Sequence, residues 1–450
     1  KSNFTFEGKM KHLIPLALVF SLAMTACDSG GSGVTKPDDK DNPGKNDTTR
    51  TVVPVDYSLG RAMNKRLGKG INLGNAWESS SYWGCGTVNY NFIDKISDTT
   101  YYTVNGVPYP VYLGAMDAQY SGNIPTQRYN YGDNCADMLD AAWSNPIQDD
   151  YFKFLKDAGF NSVRIPVRWQ HNSDPVTHKV NPERLAGVKE DVQLAINAGL
   201  AVVISFHWYY EMSFFATNSS KFPELYQSEK EHFAAIWSEV AAAFKEFPDT
   251  MLVWDILNEP TIPGAAKLND VMMTGYNAIR AVDPNKTIMF ESNQAAKFMA
   301  LKSLDLPQDG NIIYSGHYYE PYEYSHQGHS DQYACVGDAA FATTAFEDIQ
   351  QYVSLAMKLY PDINGYPIPM NMGEFGISGG SSNNPCVRMG ETPPSEEKKA
   401  YWAEKAIESA EAYGLSWHYW GFVKVGGFEA YDGANNNWYG GFPSAFQFNK

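Results

Sequence analysis

Cysteine is scarce in this chain, with five among 450 residues and none in a Cys-x-x-Cys pair, which argues against metal ligation by paired thiolates. Positive charge is also in short supply. Thirty-five Lys and Arg stand against 51 Asp and Glu, a net charge of −16, and such a balance opposes binding to nucleic-acid phosphates or to an anionic bilayer face. There is no Walker loop and no Gly-x-Gly-x-x-Gly ahead of a helix, so no nucleotide is implied and no cofactor is expected. The apolar stretch near the N-terminus, residues 13–26, is too short to span a bilayer.

What the chain does have is apolar and aromatic content, 44% and 14%. That is enough to bury a large core as one barrel or as two ordinary domains. The 29 Tyr, 24 Phe and 11 Trp suit a sugar polymer, because pyranose faces stack on aromatic rings, although many of these rings must simply be core. A neutral substrate fits the charge balance.

The short apolar stretch follows Met10-Lys-His and ends in small residues before Cys27, the layout of a bacterial lipoprotein signal. On that reading residues 1–9 lie upstream of the start, 10–27 are the signal and Cys27 is the lipidated N-terminus. An ordinary secretory signal cleaved nearby is the rival; both make the chain exported, at the outer membrane or cell surface or secreted, with an anchor as its membrane contact. Residues 28–52 are rich in Gly, Ser, Asp, Lys and Pro and read as a tether that cannot bury enough surface to fold. Residues 53–450 remain as one folded domain, expected to be a monomer. Its four cysteines, an even number in an exported chain, are expected as disulfides. Chain proximity pairs Cys85 with Cys135 and Cys335 with Cys386, one of three possible connectivities.

From residue 69 onward, short apolar runs alternate with helical patterns. Strands are predicted at 70–73, 162–167, 201–206, 251–256, 287–290, 312–315, 369–372 and 416–420. Asn145-Pro146 and Asn181-Pro182 read as helix starts, with Gly159 and Gly199 as the matching stops. Ser228 with Glu231 reads as a capping box, and Ser395 opens a helix that Gly414 closes. Eight buried strands with intervening helices specify a (β/α)8 TIM barrel, an α/β fold with a single domain, rather than an open doubly wound sheet. The first connection, 76–142, is unusually long and dense in Tyr, Asn and Gly; within it a hairpin is predicted to turn at Asn105-Gly106.

Function in such a barrel belongs to the C-terminal strand ends. There the sequence supplies Asn75 and Trp77, Arg164 and Arg168, His207 and Trp208, Asn258 and Glu259, His317 and Tyr319, Glu374, and Trp420. Each has a bland account as a solvated or core residue, but polar residues converging from seven strands do not. Two glutamates with asparagine, arginine, histidines and aromatics suit cleavage of a glycosidic bond. A metal centre on His207 and His317 is the alternative; neither has a second ligand at metal spacing on its own strand, and no metal is expected.

The motifs Gly-Ile-Asn-Leu-Gly-Asn (70–75), Val-Arg-Ile-Pro-Val-Arg-Trp (163–169), Ser-Phe-His (205–207), Leu-Asn-Glu-Pro (257–260), His-Tyr-Tyr (317–319), Gly-Glu-Phe-Gly (373–376) and Trp420 occur in this order. In that order they resemble glycoside hydrolase family 5, the cellulase-type retaining β-glycanases, over roughly residues 60–450. The resemblance implies Glu259 as acid/base and Glu374 as nucleophile, with Arg164 and Tyr319 bonded to Glu374 in its charged form. It further implies Asn258 on the sugar 2-hydroxyl, His207 and His317 as orienting groups, and Trp420 beneath the sugar at the cleavage point. From their places at the strand ends, Trp77 and Trp208 are candidate sugar platforms and Asn75 a further binding residue. The expected activity is an endo-β-1,4-glucanase acting on cellulose or related β-glucan. Xyloglucan or β-mannan hydrolysis, or glycan binding without turnover, are the alternatives. The long first loop and the four loop cysteines depart from the family pattern.

Overall fold

The computed structural model describes residues 52–78, 145–173, 177–220, 223–328, 333–379 and 384–448, together with the backbone of short strands at Asn91–Ile93, Tyr101–Val104, Val107–Pro110 and Ile124–Thr126. Cys27, Cys85 and Cys135, and with them the expected lipidation and first disulfide, lie outside the described residues.

Eight strands close a parallel barrel: β1 (Lys69–Asn72), β2 (Ser162–Val167), β3 (Ala201–Phe206), β4 (Leu252–Asp255), β5 (Thr287–Glu291), β6 (Ile312–Tyr318), β7 (Met370–Phe375) and β8 (Ser416–Tyr419). Each pairs with its chain neighbours, and β8 returns to β1 with Lys69 opposite Trp417 and Ile71 opposite Tyr419. All eight predicted strands are present, with ends shifted by at most a few residues.

Side chains alternate across a strand, and that period of two divides the molecule into two cores. Outward residues such as Val202, Ile204, Trp254, Ile288, Phe290, Ile312 and Tyr314 join the helices in one large apolar cluster. Inward residues Ala201, Val203, Val253, Met289 and Ile313 form a second cluster, closed from below by Met63 and Leu67 of the helix Ser58–Leu67. Two residues further up the same strands the inward positions turn polar: Ser205, Asp255, Glu291 and Ser315 are all fully buried. The barrel is thus plugged with hydrocarbon at its floor and filled with charge and hydrogen-bonding groups toward its mouth.

Helix boundaries follow the expected chemistry in part. Asn181 caps Pro182–Asn197 by accepting from the amides of Glu183 and Arg184, and Ser395 caps Glu396–Ala412. Gly159, at φ 108°, ends Asp149–Ala158 in a conformation other residues resist. Two starts are corrected. Asn145 caps nothing; its amide donates to the carbonyls of Gly74 and Val423, tying the β1 and β8 connections, and the helix begins only at Asp149. Ser228 and Glu231 lie inside a continuous helix, Pro223–Ala243, whose start is set by the N1 proline.

In the long first connection, Tyr101–Val104 pairs antiparallel with Val107–Pro110, leaving Asn105-Gly106 as the two-residue link. Cys335 and Cys386 form a disulfide across the connections after β6 and β7, with Cα atoms 5.6 Å apart. Among the described residues no helix is long and apolar enough to cross a membrane.

Candidate active site

Glu259 does not sit on β4 itself. That strand stops at Asp255, and buried Ile256 and Leu257 lead to Asn258 and Glu259 above the barrel mouth. Glu259 adopts φ 48°, and its backbone amide donates to Glu291 Oε2 at 2.7 Å. A carboxylate at the top of β5 therefore holds the backbone of Glu259 in a left-handed conformation that a non-glycine residue adopts only under constraint. Glu374 lies within β7 beside a break in register: Gly316 pairs with Met372 but His317 with Glu374, so Gly373 is the extra residue. A bulge of this kind re-aims the following side chains. Here it sets Glu374 against His317, with its side chain 6% exposed against 32% for Glu259.

His317 stands between the carboxylates. Its Nδ1 is 2.7 Å from Glu259 Oε1 and 3.6 Å from Glu374 Oε2, and its Nε2 is 3.2 Å from Glu291 Oε1. Burial works against a charged ring, yet Glu291 and Glu374 hold the His317 pKa well above its ordinary value. Both ring nitrogens then carry protons and donate. One oxygen each of Glu259 and Glu374 lies within 4.8 Å of the other and of a His317 nitrogen. Although such a trio could geometrically hold a cation, both oxygens of Glu374 already accept, from Arg164 Nη1 at 2.7 Å and from the Tyr319 hydroxyl at 3.0 Å. The donor set fits a shared proton better than a metal beside a guanidinium.

Arg164 is fully buried and supplies the counter-charge. It donates to Asp255, Glu291, Glu374, Asn72, Ser205 and Asn258. The expected bonds from Arg164 and Tyr319 to Glu374 are made, and Arg164 favours the charged form as expected, but burial outweighs it. Burial raises the Glu374 carboxyl, and the downward pull of His317 and Arg164 does not fully offset it. For Tyr319, burial and the charges of Glu374 and Glu259 push the hydroxyl well above its ordinary range, keeping it a proton donor.

Asn258 Oδ1 accepts from Arg164 at 2.6 Å, which points its amide nitrogen away; that nitrogen is buried and has no hydrogen-bond partner among the described residues. His207 is buried, and desolvation together with the charge of Arg164 lowers its pKa well below the ordinary value. Its ring lies parallel to Trp420, centroids 6.0 Å apart. Trp420 packs over Gly74, where any Cβ would come within 2.6 Å of the indole. Trp208, half-buried, stacks on His207 from the adjacent position. Asn75, also half-buried, donates to Lys424 and holds φ 61° because its amide and that of Ala76 are capped by the buried Glu78 carboxylate.

Trp77 is a correction. Only 8% exposed, it donates from Nε1 to Asp191, lies under the Arg184 guanidinium at 4.5 Å and presses on Gly187. It is packing between the barrel and the helix Pro182–Asn197, so it offers no face to a sugar. Conversely, Glu291, Asp255 and Asn72 belong to the site's charge network and were not among the expected residues. Ile-Met-Phe-Glu at 288–291 repeats the apolar-run-then-glutamate pattern of β7, and reading that strand one residue further would have found Glu291.

A family model described as Cellulase (glycosyl hydrolase family 5) matches residues 122–424. Endoglucanase H of Acetivibrio thermocellus is 25% identical over 254 residues, covering 55% of this chain and 25% of its own length. Endoglucanase A of Ruminococcus albus is 26% identical over 290 residues, 60% of this chain and 72% of its own. A xyloglucan-specific endo-beta-1,4-glucanase of Bacteroides ovatus, BoGH5A, is 26% identical over 261 residues, 53% of this chain and 50% of its own. The match therefore spans between a quarter and about three quarters of the length of these curated relatives. Among solved structures, endoglucanase Cel5A of Thermotoga maritima superposes with a TM-score of 0.60 at 25% identity, covering 87% of this chain and all of that one.

Proposed function

Since the chain belongs to glycosyl hydrolase family 5, we propose that it is a retaining endo-β-1,4-glucanase in which Glu374 is the nucleophile and Glu259 the acid/base. The observation that carries this is the 4.8 Å limit on the separation of one oxygen from each carboxylate. Retaining enzymes hold the pair about 5 Å apart, whereas inverting ones leave roughly 6.5–9.5 Å for a water.

In the first step Glu374 attacks the anomeric carbon while Glu259 gives its proton to the departing glycosidic oxygen. The carbon–oxygen bond breaks and a glycosyl ester of Glu374 forms. In the second step Glu259, now a carboxylate, takes a proton from water, whose oxygen displaces Glu374 with net retention. Forming the ester cancels one of the negative charges that keep His317 protonated, so proton affinity at the ring falls just when Glu259 must turn from acid to base. The free amide of Asn258 donates to the 2-hydroxyl, and Trp420 with His207 behind it forms the platform under the sugar.

Glu374→Ala and Glu259→Ala should each lower kcat by at least about a thousandfold with the fold intact by circular dichroism, because neither role can be taken over by the other carboxylate. Azide should restore turnover with activated aryl glycosides and yield opposite anomers of glycosyl azide from the two variants. Ordinary hydrolysis by either variant overturns the assignment. A panel of cellulose derivatives, mixed-linkage glucan, xyloglucan and mannan ranks the substrate, and xyloglucan as the fastest would move the reading toward that of the Bacteroides ovatus relative. The signal-like segment ending at Cys27 supports an exported protein tethered by a lipid; mass spectrometry of the processed N-terminus tests the anchor.

A further inference from the structure

Lys399 is a fully buried lysine that the chemistry at Glu259 and Glu374 does not use. It lies near the start of the helix Glu396–Ala412, and its Nζ donates to three backbone carbonyls: Gly379 at 2.7 Å, Glu429 at 3.1 Å and Gly427 at 3.3 Å. An ammonium has three N–H donors, so every one of them is committed. Desolvation lowers its pKa, while Glu396 and Glu429 act to keep it charged. Among the described residues both oxygens of Glu396 are buried without a hydrogen-bond partner, so that carboxylate acts on Lys399 as a neighbouring charge.

The three carbonyls come from the two connections that matter most to the proposed nucleophile. Gly379 follows β7, which carries Glu374; Gly427 and Glu429 follow β8 and Trp420. The two connections are joined directly as well, by the amide of Gly379 to the carbonyl of Gly427 at 2.8 Å. The carbonyls of 427 and 429 bracket Phe428, whose own carbonyl accepts from the Tyr419 hydroxyl at 3.0 Å. The Phe428 ring meets Tyr319 edge-on at 5.9 Å and His326 at 5.2 Å. Tyr319 in turn donates to Glu374.

We propose that Lys399 is a positioning residue for the nucleophile: by clamping the carbonyls on either side of Phe428, it fixes the aromatic wall that aims the Tyr319 hydroxyl at Glu374. An ammonium in the place of a water or a neutral donor gives charge-assisted bonds to three acceptors at once. Loss of that clamp frees a connection whose displacement by about 1 Å is enough to lower turnover substantially. The inference rests on the reading of Glu374 as nucleophile but not on the identity of the glycan.

The test is a cycle of variants of the whole chain, assayed on whichever β-glycan the wild type hydrolyses fastest, so that failure on β-1,4-glucan bears on the substrate reading alone. Lys399→Met keeps length and removes the donors. Its kcat should fall about tenfold with KM nearly unchanged. In a Tyr319→Phe background, where the hydroxyl is already gone, the same substitution should cost less than about twofold, since coupled residues are not additive. An equal loss in both backgrounds, or wild-type kcat with only a lower melting temperature, overturns the proposal. Should Lys399→Met not fold, Phe428→Leu decides it, because that variant leaves the clamp in place. A kcat loss that vanishes in the Tyr319→Phe background supports the path, and any other result refutes it.

Discussion

At the scale of single residues, Arg164 has the most to lose. One guanidinium with no exposure compensates Asp255, Glu291 and Glu374, so its removal strands three buried acids. Arg164→Met should destabilise the fold by about 3–5 kcal/mol, the range for breaking a buried ion pair from one side, and abolish hydrolysis; urea unfolding and residual activity measure both. Asn258 offers a sharper chemical test, since its buried amide nitrogen is a donor with no hydrogen-bond partner among the described residues. Asn258→Ala should lower kcat about a hundredfold, the usual effect of deleting one transition-state donor, and a 2-deoxy substrate should suffer no further loss in that variant. The residues legible in advance were those ending an apolar run in an unexpected polar side chain, such as His207, Asn258 and Glu374. Glu291 ends such a run too, one position beyond where the predicted strand stopped. Asp255 and Asn72 were hidden for a different reason: each ends its strand but is followed by an apolar residue, Ile256 or Leu73, that kept it inside the predicted run, and which face of a strand looks into a barrel is set by closure, not by the local pattern. Trp77 misled because a tryptophan beside a polar motif looks the same whether its ring lies on a helix or in a cleft.

Among elements, β8 carries a titrating group deep in the barrel. His418 contacts Ser162 Oγ at 3.0 Å and Asn371 Nδ2 at 3.2 Å, and desolvation with the charge of Arg164 lowers its pKa from 6.5 to about 3. Above pH 6.5 neither the folded nor the unfolded chain protonates this ring. Between 6.5 and about 3 the unfolded chain binds the proton and the folded one does not, so stability falls as pH drops, by up to about 1.4 kcal/mol per unit. His418→Gln should flatten that acid limb, read as urea midpoints across pH 7 to 4, whatever it does to stability at neutrality. The disulfide between the connections after β6 and β7 encloses a sequence separation of 51, worth about 4 kcal/mol in the chain-entropy model. Reduction should therefore lower the unfolding temperature, and Cys335→Ser with Cys386→Ser should reproduce it. Strand positions were readable because a parallel strand buried on both faces leaves a continuous apolar run. The bulge at Gly373 was not, since register between β6 and β7 depends on two segments far apart in the chain, and the same holds for Asn145, whose amide serves carbonyls on two connections rather than its own helix.

For the molecule as a whole, the site opens at one end of a barrel whose other end is sealed by Met63 and Leu67, so substrate reaches it from the mouth alone. If a polymer lies across that mouth, the viscosity of a soluble cellulose derivative should fall long before reducing ends accumulate, with β-configured products by proton NMR. Terminal disaccharides dominating the earliest products would instead mean that the hairpin at Tyr101–Val104 and Val107–Pro110 blocks one end. The seam between β1 and β8 has a further consequence, for manufacture rather than catalysis. Until Tyr419 has left the ribosome, the growing sheet has no last stave: β1 and the newest strand both present unpaired edges, the kind of template on which chains stick to one another. At typical elongation rates that interval lasts on the order of tens of seconds, and a chain stopped anywhere before β8 keeps those edges for good. The strand that carries the proposed nucleophile, next to last in the circle, is thus made before the vessel that holds it can close.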